Sequence, residues 1–392
     1  MTLTQAAHDM LTRQLIPFWS GLRDNTYGGF YGLLDFDLNL HPDAEKGCIL
    51  NSRILWFFSR CAAQLGDECC RKNASHAYHF LVEHCLDREY GGVYWSLTHG
   101  GKPLDTTKHT YNQAFAIYAL SAYYALTGER QALDTAKGLF KLIEDRCRDE
   151  GGYLEAFDRS FAPMENDKLS ENGVMAERTM NTLLHVFEGY AGLYQASHNE
   201  AVAKAMRGIL ELYLTKIYDP VKRRQTVFFD LDYHSLIDLH SYGHDIESSW
   251  LMDWGASLLG DTELMERVAR VDSALAETIY RRALNNGSLL NECERGINDT
   301  TRVWWVQAEG VLGFLNEWEK SGDVRYRDAA LSLWRYINRT LVDPRPGSEW
   351  YWEVDADGVP FSRRPIVEPW KCPYHNGRMC LEILRRNFDV PC

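Results

Sequence analysis

The chain has 392 residues, with 42 Lys and Arg against 55 Asp and Glu, and its formal net charge is -13. This acidic balance repels phosphate backbones and anionic lipid, which argues against nucleic-acid and membrane partners and is compatible with a neutral sugar. No apolar run reaches the length that crosses a bilayer, and the start of the chain lacks the regions of a signal peptide. Ten cysteines are scattered without paired metal-ligand spacing, so we expect a cytoplasmic protein with reduced thiols.

About twelve helices are predicted, and most of them follow one another in pairs. The segment 110–127 is apolar at helical period, and 131–147 follows it with a charged face. The first helix of each internal pair is apolar on all sides, as is typical of a buried inner helix, and the second is typical of an outer one. The helices predicted in chain order are 3–21, 51–65, 73–86, 110–127, 131–147, 177–197, 200–217, 241–259, 262–284, 302–321, 324–341 and 370–387.

A motif of glycine or a turn followed by alternating aromatic and polar residues recurs between the helix pairs, roughly every 60 to 75 residues. Each copy predicts a short strand or hairpin arm. Six helix pairs with one such motif each predict an all-α fold, an (α/α)6 barrel with short hairpin connections at one end. Because no linker divides the chain, we expect one domain over 1–392; an open superhelix is the alternative. The copies lie at 28–32, 91–95, 151–155, 226–230, 287–291 and 349–353.

Polar and aromatic residues gather in the first two turns of the predicted inner helices. Residues three or four apart share one helix face, so parallel inner helices would bring these groups to one barrel mouth. Buried polar groups need partners, and so many of them at one end indicate that a ligand completes the pairing. Taken alone, a histidine or tryptophan at such a position is more often a structural or core residue, and Arg53 could simply be paired with a carboxylate. The residues are Arg53, Tyr111, Asn112, Asn181, His185, His244, Glu247, Trp250, Trp304, Trp305, Glu309, Trp370 and His375.

The signatures of several enzyme classes are absent from the sequence. We find no dinucleotide or phosphate-binding glycine loop, no His-Glu-x-x-His zinc motif and no Gly-x-Ser-x-Gly elbow. We therefore expect side-chain chemistry with no cofactor and no metal, acting on a small-molecule carbohydrate in a monomeric protein.

Five segments together resemble the N-acylglucosamine 2-epimerase superfamily, and within it the cellobiose 2-epimerase group. The resemblance implies an (α/α)6 barrel and reversible inversion at C2 of the reducing-end glucose of β-1,4-linked disaccharides. Cellobiose would become glucosyl-mannose, and lactose would become epilactose. The segments are 52–56, 181–185, 243–250, 304–309 and 368–377.

Given this resemblance, the chemistry predicts two histidines that move a proton on and off C2 of the open-chain sugar. We assign His244 and His375 to this pair, because imidazole serves as acid or base near neutral pH. Glu247 is predicted to orient His244, and Arg53 to stabilise negative charge on the C1 oxygen. His185 with Asn181 would bind hydroxyls and assist ring opening. The remaining predicted substrate contacts are Tyr111, Asn112, Trp250, Trp304, Trp305, Glu309 and Trp370.

Four other functions remain open on sequence grounds. An aldose–ketose isomerase of the mannose isomerase type shares the enediolate but reprotonates C1. An N-acylglucosamine 2-epimerase acts on a sugar with an amide at C2, although Trp304-Trp305 and the segment 368–370 favour a disaccharide. A glycoside hydrolase could use Glu247 and Glu309 as paired carboxylates. A sugar- or protein-binding barrel would bind without turnover.

Overall fold

The computed structural model describes residues 1–169 and 172–392 and is mainly helical. A single π-helical turn joins the first two helical segments, and similar turns extend four later helices. The helices are α1 (Leu3–Met10), α2 (Ile16–Gly21), α3 (Cys48–Leu65), α4 (Glu68–Phe80), α5 (Thr110–Thr127), α6 (Arg130–Leu142), α7 (Met180–Ser197), α8 (Glu200–Leu212), α9 (Tyr242–Leu259), α10 (Thr262–Arg282), α11 (Trp304–Ser321), α12 (Val324–Tyr336) and α13 (His375–Arg386).

Six of these helices form a closed inner ring. Helices α3, α5, α7, α9, α11 and α13 contact one another in that order, and α13 contacts α3. An outer helix packs against each of them, as α4 does against α3 and α1 against α13. The predicted (α/α)6 barrel is therefore confirmed, with its core between the two rings.

Close contacts between inner helices depend on glycine at particular positions. A Cβ atom added to Gly189 of α7 would lie 2.6 Å from the carbonyl oxygen of Ala114 on α5. One added to Gly313 of α11 would lie 2.7 Å from the carbonyl oxygen of Ile246 on α9. These distances are too short for any side chain, so the inner ring has room only for glycine there.

The predicted helix bounds agree with the structure to within three residues except at two starts. The outer helix predicted at 73–86 begins at Glu68, where the Asp67 side chain accepts a hydrogen bond from the Cys70 backbone and caps it. The sixth inner helix begins at His375 and not at 370, because Pro373 disfavours helical geometry in the residue before it. The third begins at Met180, where the Thr179 side chain accepts a hydrogen bond from the Thr182 backbone and caps the helix.

Sixteen short strands lie among the described residues, and most of them connect neighbouring helix pairs. The strand before an inner helix pairs antiparallel with a strand that follows the next pair, as β4 does with β5. The strands are β1 (Lys46–Gly47), β2 (Ser96–Leu97), β3 (Pro103–Asp105), β4 (Lys108–His109), β5 (Ala156–Phe157), β6 (Arg178–Thr179), β7 (Tyr218–Asp219), β8 (Arg224–Gln225), β9 (Phe228–Phe229), β10 (Leu239–Ser241), β11 (Leu284–Asn285), β12 (Ser288–Leu289), β13 (Glu292–Glu294), β14 (Ile297–Asp299), β15 (Arg302–Val303) and β16 (Glu353–Val354). This connected edge surrounds the N-terminal ends of the inner helices.

The first and last parts of the described chain meet and close the ring. The backbone N–H of Leu3 donates to the carbonyl of Val390 at 2.8 Å, and Thr2 forms a β-bridge with Pro391. The open superhelix is therefore excluded. Within 1–169 and 172–392, none of the helices combines the length and hydropathy that a bilayer span requires.

Candidate active site

A cavity of about 510 Å³ lies where the N-terminal ends of the six inner helices meet. Every inner helix contributes at least one side chain to its wall. The positive ends of six helix dipoles therefore face the same space, and they favour negative charge that develops there. The wall residues from these helices are Arg53, Tyr111, Asn181, His185, His244, Glu247, Trp304, Trp305 and His375.

Trp370, which lies before α13, also lines this cavity. The structure thus brings together all but three of the predicted site residues. The three exceptions lie behind its wall and have partners within the protein. Asn112 Nδ2 donates to the carbonyl of Tyr94 at 2.7 Å and so fastens one hairpin motif to its helix. Trp250 Nε1 donates to Glu309 Oε2 at 2.9 Å. These contacts place Asn112, Trp250 and Glu309 in supporting positions.

His375 is held by a carboxylate on its far side. Its Nδ1 lies 2.7 Å from Glu309 Oε1, and its ring packs against Trp304 and Trp305. Because an ionised Glu309 accepts the Nδ1 proton, the Nε2 lone pair is left for the cavity. Burial lowers the pKa of His375 well below its usual value, and the charge of Arg378 lowers it further. An unprotonated His375 can act as a base.

His244 has a different partner from the predicted one. Its Nδ1 lies 2.7 Å from the hydroxyl of Ser241, and its ring contacts Trp305 at a centroid distance of 4.7 Å. Burial lowers the pKa of His244 to about 3. Glu247 bonds to Arg378 of α13, because a guanidinium is a stronger partner for a carboxylate than a neutral imidazole. The prediction that Glu247 orients His244 is corrected accordingly.

Arg378 joins three buried carboxylates directly behind His375. Its Nη1 lies 2.6 Å from Glu188 Oε1, and its Nη2 lies 2.7 Å from Glu309 Oε1 and also contacts Glu247. Burial and the charge of Glu309 together raise the pKa of Glu247 to about 8, although Arg378 opposes them. Burial opposes ionisation of Glu188 too, but Arg378 and His185 lower its pKa to about 2. We infer that Glu247 and Glu309 hold one proton between them near neutral pH.

Arg53 of α3 places a fixed positive charge in the cavity wall, and His185 of α7 is the third histidine there. Arg53 Nη2 donates to the Tyr111 hydroxyl at 2.7 Å, and its guanidinium packs over the Phe115 ring at 4.2 Å. His185 Nδ1 lies 2.9 Å from Glu188 Oε2, which fixes its ring. Arg53 therefore presents an always-charged donor to the cavity.

Four wall residues have buried polar atoms without a partner among the described residues. Native structures rarely leave such atoms unpaired, because each unmade hydrogen bond costs about 1–3 kcal/mol. These four residues line the cavity, so its wall is polar as well as aromatic. The atoms are Arg53 Nε, Asn181 Oδ1, Glu247 Oε2 and Trp304 Nε1.

Comparison with known proteins places this geometry in a family. The family model of N-acylglucosamine 2-epimerase matches residues 28–376. The chain belongs to the N-acylglucosamine 2-epimerase family. It is similar to a cellobiose 2-epimerase of Eubacterium cellulosolvens, with 49% identity over 98% of this chain and 99% of that protein. The chain is accordingly an enzyme of the isomerase class.

Solved structures agree with this family membership. A crystal structure of a sugar epimerase from a ruminal bacterium has a TM-score of 0.98, with 47% identity over 99% of this chain and all of that one. A D-mannose isomerase structure has a TM-score of 0.82 at 18% identity, covering 98% of this chain and 97% of that chain. This second likeness concerns the fold alone.

The epimerase-family site contains one group of metal-ligand type, formed by Glu247, Glu309 and His375. Ligand atoms of these three residues lie within 4.8 Å of one another. Both carboxylates are already bonded to Arg378, so a cation there would have to compete with a fixed positive charge. These donors therefore fit a hydrogen-bonded support for His375 better than a metal site.

Sequence reasoning missed two groups of residues in this site. Arg378 and Glu188 each lie three positions after a predicted histidine, so helical spacing carried a signal for both. The second group comes from loops and strand ends, where helical spacing carries no signal. Asn291, Trp352 and Glu353 lie in copies of the recurring motif, which predicted strands there but no part in the site. The group includes Lys168, Leu169, Asn172, Asn291, Trp352, Glu353, Arg363 and Arg364.

Proposed function

We propose that the protein inverts C2 of the reducing-end glucose of cellobiose and related β-1,4-linked disaccharides. The observation that carries the proposal is that His244 and His375 line one cavity and contact the same indole, that of Trp305. Two unprotonated imidazoles in one sugar-sized space provide a proton acceptor and, once protonated, a proton donor. The name of the relative from Eubacterium cellulosolvens supports cellobiose as the substrate.

The reaction begins with ring opening, because only the aldehyde makes the neighbouring C2 proton acidic. We assign hydroxyl binding during this step to His185 and Asn181, which lie four residues apart on α7. One imidazole then takes the C2 proton and leaves an enediolate. The other, which has taken a proton from solvent, delivers it to the opposite face of C2 and inverts the centre, and the first imidazole then returns its proton to solvent.

The enediolate carries its negative charge on the oxygens at C1 and C2. Arg53, with Tyr111 bonded to it, supplies a positive donor for the C1 oxygen, and the inner helices add their N-terminal dipoles. Glu309 holds the Nδ1 proton of His375 and so directs Nε2 at the substrate. The proposed chemistry needs no group beyond these side chains.

The second sugar ring requires apolar surface beyond the reacting centre. Trp304, Trp305, Trp352 and Trp370 all line the cavity, and Trp352 is covered by the guanidinium of Arg364 at 5.0 Å. Indole faces are suited to the C–H faces of pyranose rings. We assign the non-reacting ring to this aromatic side of the cavity.

The test is turnover of cellobiose in deuterated water by the wild type and by His375→Asn and His244→Asn. We expect glucosyl-mannose with deuterium at C2 from the wild type, and activity lowered by at least about a hundredfold in both variants, as for loss of a general base. His234→Asn is the matched control, because His234 is exposed and its ring bonds to the nearby Asp230. Near-normal turnover in either site variant would remove that histidine from the proton-transfer role.

The same incubation distinguishes the rival activities. A ketose product would favour the aldose–ketose isomerase, and new reducing ends would favour a hydrolase. Geometry disfavours the hydrolase, because Glu247 and Glu309 both bond to Nη2 of Arg378 behind His375 and do not flank a cleft. Turnover of N-acetylglucosamine but not cellobiose would replace the proposed substrate.

A further inference from the structure

A second cavity, of about 330 Å³, lies at the opposite end of the barrel. Four inner helices contribute residues from their middle and C-terminal turns, and α13 contributes Arg378, Glu382 and Arg385. The cavity shares no wall residue with the candidate active site. Its volume is at the lower end of the range of small-molecule sites, so a ligand of monosaccharide size fits. We name it the floor cavity.

The floor cavity contains hydrogen-bond donors that no protein group satisfies. Arg60 is partly buried in its wall and makes no hydrogen bond or ion pair within the part of the chain that the structure describes. Arg378 also lines the wall, but its guanidinium is already bonded to the buried carboxylates of Glu188, Glu247 and Glu309. Guanidinium groups only donate, so the ligand that completes this site must accept.

The acidic side chain in the same wall is already paired. Glu382 bonds to Arg385 at 2.7 Å and to Arg386 at 3.3 Å, so its charge is balanced within the wall. The inner helices place the negative ends of their dipoles near this cavity, but that effect is confined to the last helical turn. Arg60 lies above the last turn of α3, which ends at Leu65. The unbalanced charge of the wall is therefore positive.

The remaining wall is aromatic and flat. The rings of Trp56 and Tyr118 stack at 5.3 Å with an angle of 22° between them, and Trp254 lines the cavity beside them. Ser121 and Gln195 add neutral polar groups. Aromatic faces next to a guanidinium suit a ligand with both an apolar face and an anionic group.

We propose that the floor cavity binds a monosaccharide-sized molecule that carries one oxyanion, a phosphate or a carboxylate. Arg60 holds the oxyanion, and Trp56, Tyr118 and Trp254 hold the sugar-like body. The proposal concerns binding alone and does not depend on the proposed epimerase function.

The test is calorimetric titration of the full chain with glucose 6-phosphate and with gluconate. Cellobiose is present at saturation and at chemical equilibrium, so that the candidate active site is occupied. We expect one site per chain, and the ligand that binds more tightly identifies the oxyanion. Arg60→Gln should weaken binding about tenfold or more, because it removes a charge-assisted hydrogen bond.

Two further variants keep the test decisive. Arg13→Gln removes an arginine whose side chain is 78% exposed outside both cavities, and it should bind as the wild type does. Ala122→Phe fills the floor cavity without changing its charge and should abolish binding. Absence of binding for both ligands, or unchanged affinity in Arg60→Gln and Ala122→Phe together, would overturn the proposal.

Discussion

Replacing Glu309 with Gln tests how the site directs His375. In the protein Glu309 Oε1 accepts from His375 Nδ1 and Arg378 Nη2, both at 2.7 Å, and Oε2 accepts from Trp250 Nε1 at 2.9 Å. A glutamine of the same shape carries no charge and has an NH2 group at one of these positions, which cannot accept. One charge-assisted hydrogen bond to the imidazole is therefore lost or weakened.

The magnitude follows from the strength of that bond. A hydrogen bond to a charged group contributes about 1.5–3 kcal/mol, and about 1.36 kcal/mol corresponds to tenfold in rate. We expect kcat for cellobiose to fall about 10- to 150-fold. Glu309 does not line the cavity, so KM should change little.

The assay is steady-state epimerisation of cellobiose between about pH 5 and pH 9, with glucosyl-mannose as the measured product. Glu319→Gln is the matched control, because Glu319 lies on the same helix with a partly exposed carboxylate bonded to Arg386 at 2.9 Å. Loss of this surface ion pair in Glu319→Gln should leave kcat unchanged. If Glu309→Gln retained the kcat of the wild type, or raised only KM, the positioning of His375 by Glu309 would be refuted.

Three further outcomes are expected. In the wild type, kcat should fall as the pH rises through about 8, because Glu247 keeps its proton below that pH and becomes a second negative charge beside Glu309 above it. In Glu309→Gln an ionised Glu247 is the first negative charge and not the second, so a rate–pH profile should show no such decline. Lys46→Met removes the partner of the buried Asp24 carboxylate and should lower the free energy of unfolding, measured by urea denaturation, by about 3–5 kcal/mol. The control Lys141→Met breaks an exposed ion pair and should lower it by at most about 1 kcal/mol. Gly189→Ala should destabilise the protein by about 1–3 kcal/mol, because its Cβ clashes with the Ala114 carbonyl. Gly138→Ala meets nothing within 4 Å and should stabilise the protein slightly. Equal urea-denaturation midpoints for the two variants would contradict this prediction.

Much of the barrel could be predicted, because the positions of its helices depend on local sequence features such as apolar spacing and capping residues. Apolar periodicity separates inner from outer helices, and the end of α5 before Gly128 follows from a left-handed C-cap with a φ of 74°. The start of α13 was predicted too early, because a single proline outweighed the apolar pattern around it.

The site residues could be predicted where they lie at the start of an inner helix, on the helix face that points into the cavity. Arg53, His185 and His375 all reach the cavity from the predicted faces. The spacing of residues along a helix predicts which face a side chain lies on, but not which side chain of another helix it bonds to. The choice of Glu247 between His244 and Arg378 depends on α13, which is far away in sequence, and the loop residues of the wall follow no period.

Because the ring is closed by the contact of α1 with α13 and by the bond from Leu3 to Val390, each helix pair is supported from both sides. A linear array of repeats melts from its ends, where the last unit has one neighbour. A closed ring of helix pairs has no end unit of this kind. Loss of any one pair would expose two apolar flanks at once, so unfolding should be a single event for the barrel.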